Sequence, residues 1–304
     1  MLSKHAMRLA TVPVFFSLGL ALTGCADMGT RVNETLKGID KTLSDAGPGF
    51  LPKGSVNATN HTETITNLWV GSWIVLWGVG IIAWGLMIWA IIAYRRRKGE
   101  NRIPAQLRYN NPIEALFTVV PLIMVIGFFA FTAKSMADIE SPVAGSRNIQ
   151  VIAKQWSWDF NYTDSQVHEV GIQSQYAGEP GYNSLNDVPT LWLEKGVPVH
   201  VKENSRDVVH SFWVVDFLYK KDVFPGQTNN IYFTPEKVGT YRGKCAELCG
   251  EFHSMMLFNV KVVDKPEYEA HMASLAADPA TSGLLSNKLE RNQNLPGQDP
   301  NIKG

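Results

Sequence analysis

The chain has 304 residues, and its 28 basic and 28 acidic side chains balance to a formal net charge of zero. A neutral chain offers no bulk charge for nucleic-acid binding, so that class is excluded. Apolar residues make up 45% of it and include nine tryptophans, yet the mean hydropathy is close to zero, so greasy and polar residues must be segregated along the chain.

The first segment reads as a targeting signal. MLSKHAMR is basic, LATVPVFFSLGLAL is apolar, and the run ends at Leu22-Thr23-Gly24-Cys25. A charged start, a short apolar stretch and small residues before a cut make a secretory signal peptide, residues 1–24. The ending resembles a bacterial lipoprotein cleavage site, which would make Cys25 the lipid-bearing first residue. The alternative is a plain signal peptide with an incidental cysteine. Residues 25–66, rich in Gly, Thr, Asn and Asp over much of their length, read as an extracytoplasmic tether.

Residues 67–136 read as a transmembrane helical hairpin. LWVGSWIVLWGVGIIAWGLMIWAIIAY, from Leu68 to Tyr94, exceeds the ~20 apolar residues needed to span a bilayer. Trp69, Trp73 and Trp89 lie towards its ends, where interfacial aromatics are expected. The second run, ALFTVVPLIMVIGFFAFTA from Ala115 to Ala133, contains Pro121, tolerable if neighbours satisfy the freed carbonyl. The basic loop between them, RRRKGENRIPAQLR, places that turn in the cytoplasm and both flanking segments outside. A buried soluble helix is the bland alternative, and two such runs argue against it.

From residue 137 to 277 the pattern becomes that of an outer β domain. NIQVIAK, TLWLEK, VPVHVKEN, VVHSFWV, TNNIYFTP, GTYRGKC and MLFNVKVV are short runs of β-branched and aromatic residues, punctuated by Gly, Pro, Asn and Asp. They predict an antiparallel sandwich or barrel. A helix is expected over 266–275, and the polar tail 278–304 reads as loose.

The chemistry concentrates in CAELCGEFHSMM, residues 245–256. Cys245 and Cys249 are four apart, His253 follows by four and Met256 by three, and His210 lies upstream in DVVHSF. Thiolate, thioether and imidazole together favour copper. A disulfide would leave the histidines and Met256 unexplained. A structural zinc site would use CxxC and HxxxH spacings, which are absent. A mononuclear blue-copper site needs only one cysteine. Two cysteines in one loop can instead bridge two copper ions, each with one histidine and one weak axial ligand. Met256 and the backbone carbonyl of Glu247 could supply the axial pair.

This arrangement resembles the binuclear copper A centre of subunit II of cytochrome c oxidase, of the haem-copper oxidase family, with two helices followed by a cupredoxin-like domain. The wording of several segments is most similar to the branch found in high-GC Gram-positive bacteria. QWSWDFNY, KKDVFPGQTN and IEALFTVVP also match segments of that family. The resemblance implies a membrane-anchored α+β protein in the bacterial cell membrane, with its all-β domain on the extracytoplasmic side. It implies two copper ions held by His210, Cys245, the Glu247 carbonyl, Cys249, His253 and Met256. It implies Trp156 as the point of electron entry and the Glu247 carboxylate as a ligand to a Mg²⁺ ion shared with subunit I. Glu114 would lie near the mouth of a proton pathway. Haem would reside only in partner subunits. The implied activity is that of an aa3-type, proton-translocating oxidase: electrons pass from a c-type cytochrome to haem in subunit I, where oxygen becomes water. The donor could be a cytochrome bc complex in a supercomplex.

Several residues have plainer readings. Trp156 and Trp158 alternate on a predicted strand, so one could be core. Glu114 could simply favour a helix start. Asp207 could aid docking or be solvated. Arg206 stands where many relatives carry an acid, which argues against docking a basic soluble cytochrome c. His61, His168, His200 and His271 have no ligand-like neighbours in the sequence. Among rival functions, a quinol oxidase subunit II would lack the copper ligands, and nitrous-oxide reductase would need a large second domain. The remaining alternative is a copper-binding membrane lipoprotein for copper delivery or storage.

Overall fold

The structure, a computed structural model, describes residues 51, 55, 57–99, 103, 106–171 and 188–286. The chain divides into two units, Met1–Leu51 and Pro52–Gly304, and all described residues but Leu51 belong to the second. The signal segment, Cys25, most of the tether and residues 287–304 lie outside the described residues.

Helix α1 spans Thr62–Ala93 and α2 spans Asn111–Ile139, with 32 and 29 residues. At 1.5 Å per residue they are about 48 and 43 Å long, more than the ~30 Å of bilayer hydrocarbon. Both are longer than their apolar runs, α1 by a polar stretch at its start and α2 by polar turns at both ends. Their apolar side chains, Ile81 and Phe129 among them, face outward and are exposed, which only lipid or partner helices would tolerate. Trp69 packs edge-on against Trp73, and Trp89 against Tyr94. Pro121 sits inside α2.

The outer domain is a sandwich of two five-stranded sheets. In chain order the strands are β1 (Arg147–Lys154), β2 (Ser157–Tyr162), β3 (Val167–Glu169), β4 (Thr190–Glu194), β5 (Val199–Ser205), β6 (His210–Val214), β7 (Tyr219–Val223), β8 (Asn229–Phe233), β9 (Gly239–Cys245) and β10 (Leu257–Val263), followed by helix α3 (Lys265–Ala277). One sheet has the order β3-β2-β1-β5-β8 and the other β4-β10-β9-β6-β7. The sheets are mixed rather than antiparallel, because β1 pairs parallel with β5 and β4 parallel with β10. Parallel neighbours require a crossover, and here the chain visits the opposite sheet before returning.

The core is aromatic. Trp158 is fully buried and meets Phe212 and Phe258 edge-on, each at 5.4 Å between ring centroids. Phe212 and Phe258 stack at 4.6 Å. Gly243 makes this possible, since a Cβ there would lie 2.1 Å from the Phe258 ring.

Both membrane helices are fastened to the sandwich. Before α1, the Asn60 amide donates to the Thr234 carbonyl, and the Thr234 amide donates back to Asn60 Oδ1. After α2, Glu140 accepts from Lys221 Nζ at 2.8 Å and from the Tyr219 hydroxyl at 3.2 Å. The start of the tail is fastened as well. The Thr281 carbonyl accepts from the His168 amide, Leu285 exchanges two hydrogen bonds with the Asn161 side chain, and the Ser286 carbonyl accepts from Arg206. Residues 278–286 are thus not loose, because their backbone groups find partners on the edge of a sheet.

One buried group stands out from this satisfied interior. Glu203 on β5 is fully buried, and neither carboxylate oxygen has a hydrogen-bond partner among the described residues. Burial pushes its pKa well above the ordinary value of 4.5, Lys221 opposing and Asp222 adding. A carboxyl whose pKa is raised by folding contributes its full stability below the unfolded value and loses it as pH rises through the folded value. The wild type should therefore weaken relative to Glu203→Gln by about 1.4 kcal/mol per pH unit above the unfolded pKa, until the folded value is passed. Unfolding midpoints of the two proteins at stepped pH check this, and a gap that does not vary with pH would contradict it.

Candidate metal centre

Three strand ends converge at one end of the sandwich. His210 opens β6, Cys245 closes the neighbouring β9, and Met256 immediately precedes β10. The loop from Cys245 to Met256 is pinned at its base, where the Cys245 amide donates to the Met256 carbonyl and the Ala246 amide to the Ser211 carbonyl. A short 3₁₀ turn, His253–Met255, brings His253 back over the loop.

The sequence-predicted donors meet there. The sulfurs of Cys245 and Cys249 are 3.9 Å apart, and both cysteines are buried and free. Each sulfur has its own imidazole: Cys245 Sγ lies 3.9 Å from His210 Nδ1, and Cys249 Sγ lies 3.5 Å from His253 Nδ1. Each also has a weaker donor beside it. The Glu247 carbonyl is 3.2 Å from Cys245 Sγ, and Met256 Sδ is 3.8 Å from Cys249 Sγ. The ligand atoms of His210, Cys245 and Cys249 all fall within 4.8 Å of one another. Buried soft donors facing one small volume fit a copper site.

The metal-free electrostatics follow from this crowding. The hydrogen bond shared with Cys249 lowers the Cys245 pKa to about 3 against the opposition of burial, with His210 helping. Cys249 is driven upward by the same hydrogen bond, by burial and by the Cys245 charge. Like charges this close do not ionise together, so the pair loses both protons only where a cation takes the place of the second.

Asp207 was not singled out by its residue type, yet it is the group that orients His210. It is neither solvated nor at a docking surface: it is buried, and its Oδ1 accepts from His210 Nε2 at 2.7 Å. Holding the proton on Nε2 turns the Nδ1 lone pair towards the sulfurs. Burial raises the Asp207 pKa, but hydrogen bonds from His210 and from the amides of Gln155 and Val208 outweigh it, and the net shift is downward. Burial likewise lowers that of His210, and Asp207 and Cys245 together reverse it upward. Arg206 is also buried. It pairs with Asp159 at 3.0 Å beside a second pair, Lys154–Asp159, so its charge does not face a donor protein.

The other candidates separate clearly. Trp156 is not on a strand but in the turn between β1 and β2; it is half-buried, and its ring N–H donates to the Cys249 carbonyl at 3.2 Å. Trp158 is core. Glu247 has an exposed side chain. Glu114 lies in the first turn of α2, far in sequence from the loop, where its carboxylate accepts from the Asn110 amide while Asn110 Oδ1 accepts from the Ile113 amide, a reciprocal helix cap. Among the described residues the unassigned histidines are tied to the scaffold: His61 to the Tyr232 carbonyl, His168 to the Gly283 carbonyl, His200 to Asn148 and Asn230, and His271 to Glu169.

Comparison with known proteins agrees with this geometry. Residues 147–263 match the family described as "Cytochrome C oxidase subunit II, periplasmic domain". Over 266 residues the chain is 41% identical to "Probable cytochrome c oxidase subunit 2" of Streptomyces avermitilis, covering 77% of this chain and 83% of that one. The chain belongs to the cytochrome c oxidase subunit 2 family. It is also 28% identical over 269 residues to cytochrome c oxidase subunit 2 of Corynebacterium glutamicum, covering 73% and 75% of the two chains. Among solved structures it is similar to the periplasmic domain of subunit II of cytochrome oxidase from Bradyrhizobium japonicum, at 26% identity and a TM-score of 0.40, covering 44% of this chain and 96% of that one. As a subunit 2 it is a component of an oxidase complex that includes subunit I, and its two apolar helices fit a membrane-anchored protein with the sandwich outside.

Asp207→Asn removes the charged acceptor that orients His210 and leaves the strands untouched. Copper affinity should fall about 10- to 100-fold, read by chelator competition, with the far-ultraviolet circular dichroism unchanged.

Proposed function

We propose that this subunit is the electron inlet of its oxidase, with His210, Cys245, the Glu247 carbonyl, Cys249, His253 and Met256 holding two copper ions. The observation that carries this reading is the pairing of the two sulfurs, each with its own imidazole and its own weak donor. A copper pair held by these donors would supply a one-electron acceptor. The protein's part is to hold that donor set still and dry. Cys245 and Cys249 would bind copper as thiolates, the two imidazoles present Nδ1, and Trp158 with its aromatic neighbours closes the inner side.

Trp156 serves as the entry point. Its half-buried ring beside the loop, hydrogen-bonded to the Cys249 carbonyl, supports a short route from a donor's haem edge to a ligand backbone. The donor is a c-type cytochrome, free or within a cytochrome bc complex, and electrons leave for haem in subunit I, where oxygen is reduced with proton translocation by the complex. The exposed Glu247 carboxylate is free to reach a Mg²⁺ ion shared with subunit I, a hard cation that prefers oxygen. Glu114 is assigned to the mouth of a proton path by resemblance alone. Cys25 carries lipid in this reading, residues 1–24 being removed.

The visible and electron paramagnetic resonance spectra of the copper-loaded full chain test the centre directly. Two coppers per chain with one shared unpaired electron are expected, and a single-copper spectrum would point instead to copper delivery or storage. Cys249→Ser should abolish the paired spectrum and lower copper below two per chain. Trp156→Phe should keep spectrum and copper content while electron transfer from the natural donor falls at least about 10-fold, an effect of about 1.4 kcal/mol on the barrier. Reduction by a small chemical reductant should be unchanged, and an unchanged rate with the natural donor would refute the entry assignment.

A further inference from the structure

We infer that Gln155 is a positioning residue that ties the two halves of the metal centre together; this rests on the copper reading above. The donors come from two separate chain segments. His210 belongs to the β5–β6 side, and Cys245 to Met256 form the other. On the near side the two are joined by the pairing of β6 with β9 and by the Ala246–Ser211 hydrogen bond. On the far side a join comes from the opposite sheet, through Gln155 in the turn between β1 and β2.

Gln155 makes that join with two different groups. Its backbone N–H donates to Asp207 Oδ2 at 2.6 Å, and Asp207 Oδ1 in turn holds His210. Its side-chain amide donates to the Cys249 carbonyl at 2.7 Å. The result is a closed circuit. It runs from the Cys249 peptide through Gln155 and Asp207 to His210, and returns through the facing donor atoms of Cys245 and Cys249. Trp156 donates to the same loop carbonyl through its ring N–H, while Gln155 reaches both that carbonyl and Asp207 and so bridges the two halves.

The loop is shaped to admit this contact. Gly250 follows Cys249 with φ of +124°, and a Cβ there would stand 3.2 Å from Gln155 Nε2 and 3.1 Å from the Trp156 ring. A residue with a side chain would be strained at that φ and would crowd both donors. The Gln155 amide therefore sets the tilt of the Cys249 peptide, and with it the position of the Cys249 sulfur relative to Cys245. Without it the carbonyl keeps only the Trp156 donor, and the sulfur pair is free to adopt more than one spacing. Any substitution at 155 other than proline keeps the backbone bond to Asp207, so the side-chain contribution can be isolated.

The test uses the full chain in detergent, loaded with copper, as wild type, Gln155→Leu and Gln155→Asn. Gln155→Leu should still bind two coppers and should unfold at the wild-type midpoint when metal-free. Its resonance spectrum should become a superposition of forms, and its copper affinity against a chelator should fall about 10- to 100-fold. Gln155→Asn, with the amide drawn back by one methylene, should lose less, and it carries the test if Gln155→Leu fails to fold. A wild-type spectrum and affinity in the variant that folds would overturn the inference. So would a loss of copper matched by an equal loss of metal-free stability, the mark of a merely structural role. If the wild type itself lacks a paired-copper spectrum, the copper reading fails first, which separates that failure from a failure of the Gln155 assignment.

Discussion

Two cysteine sulfurs 3.9 Å apart in a buried setting cannot both carry charge unless something positive lies between or beside them. Isolated buried charge is costly, and in the metal-free protein this crowding lowers the pKa of Cys245 and raises that of Cys249. Much of the surrounding architecture serves this one constraint. The strands end where they do so that His210 and Met256 flank the sulfurs, and the aromatic core beneath excludes water. A metal that takes the place of a proton on the pair converts the conflict into the binding energy of the site.

The polar shell around the donors is built to the same end. Asp207, Gln155 and the Cys249 carbonyl are each occupied by partners at 2.6–3.2 Å. Satisfied networks in a low-dielectric setting hold their geometry, so the donor atoms they orient are kept in place. Buried pairing extends further back, where Lys154 and Arg206 share Asp159. Arg206 also grips the Ser286 carbonyl, so the start of the C-terminal tail is linked to the residue next to Asp207, the His210 orienter.

Much of this was legible in the sequence. The spacing of Cys245, Cys249, His253 and Met256 is local, and one loop can deliver such a set without knowledge of the rest. His210 was legible because it sits at the end of a run with strand character. The parallel pairings were not, because alternation of side chains reports which face a residue takes and says nothing of a neighbour's direction. The strands β3 and β7 escaped for a related reason: both are edge strands, one of only three residues and the other the polar YKKDV. Asp207 and Gln155 were on the page as residues but carried no signal of their roles. A polar side chain looks solvated until its partners, 52 positions away for the Gln155–Asp207 bond and 94 for Gln155–Cys249, are brought to it. For Asp207 the spacing of three to His210 was the one available hint.

The fastening of both helices to the sandwich has a consequence for how the complex works as a machine. A domain hung from one linker would sweep through a cone, and any docking site on it would sample many heights and headings above the bilayer. Asn60–Thr234 and Glu140–Lys221 give two points of attachment, and two points remove the swivel that one would leave. The centre is thereby mounted like an instrument on a bracket, its bearing fixed by the helices below. Whatever docks on the sandwich then meets a surface whose heading is set by the two helices below it.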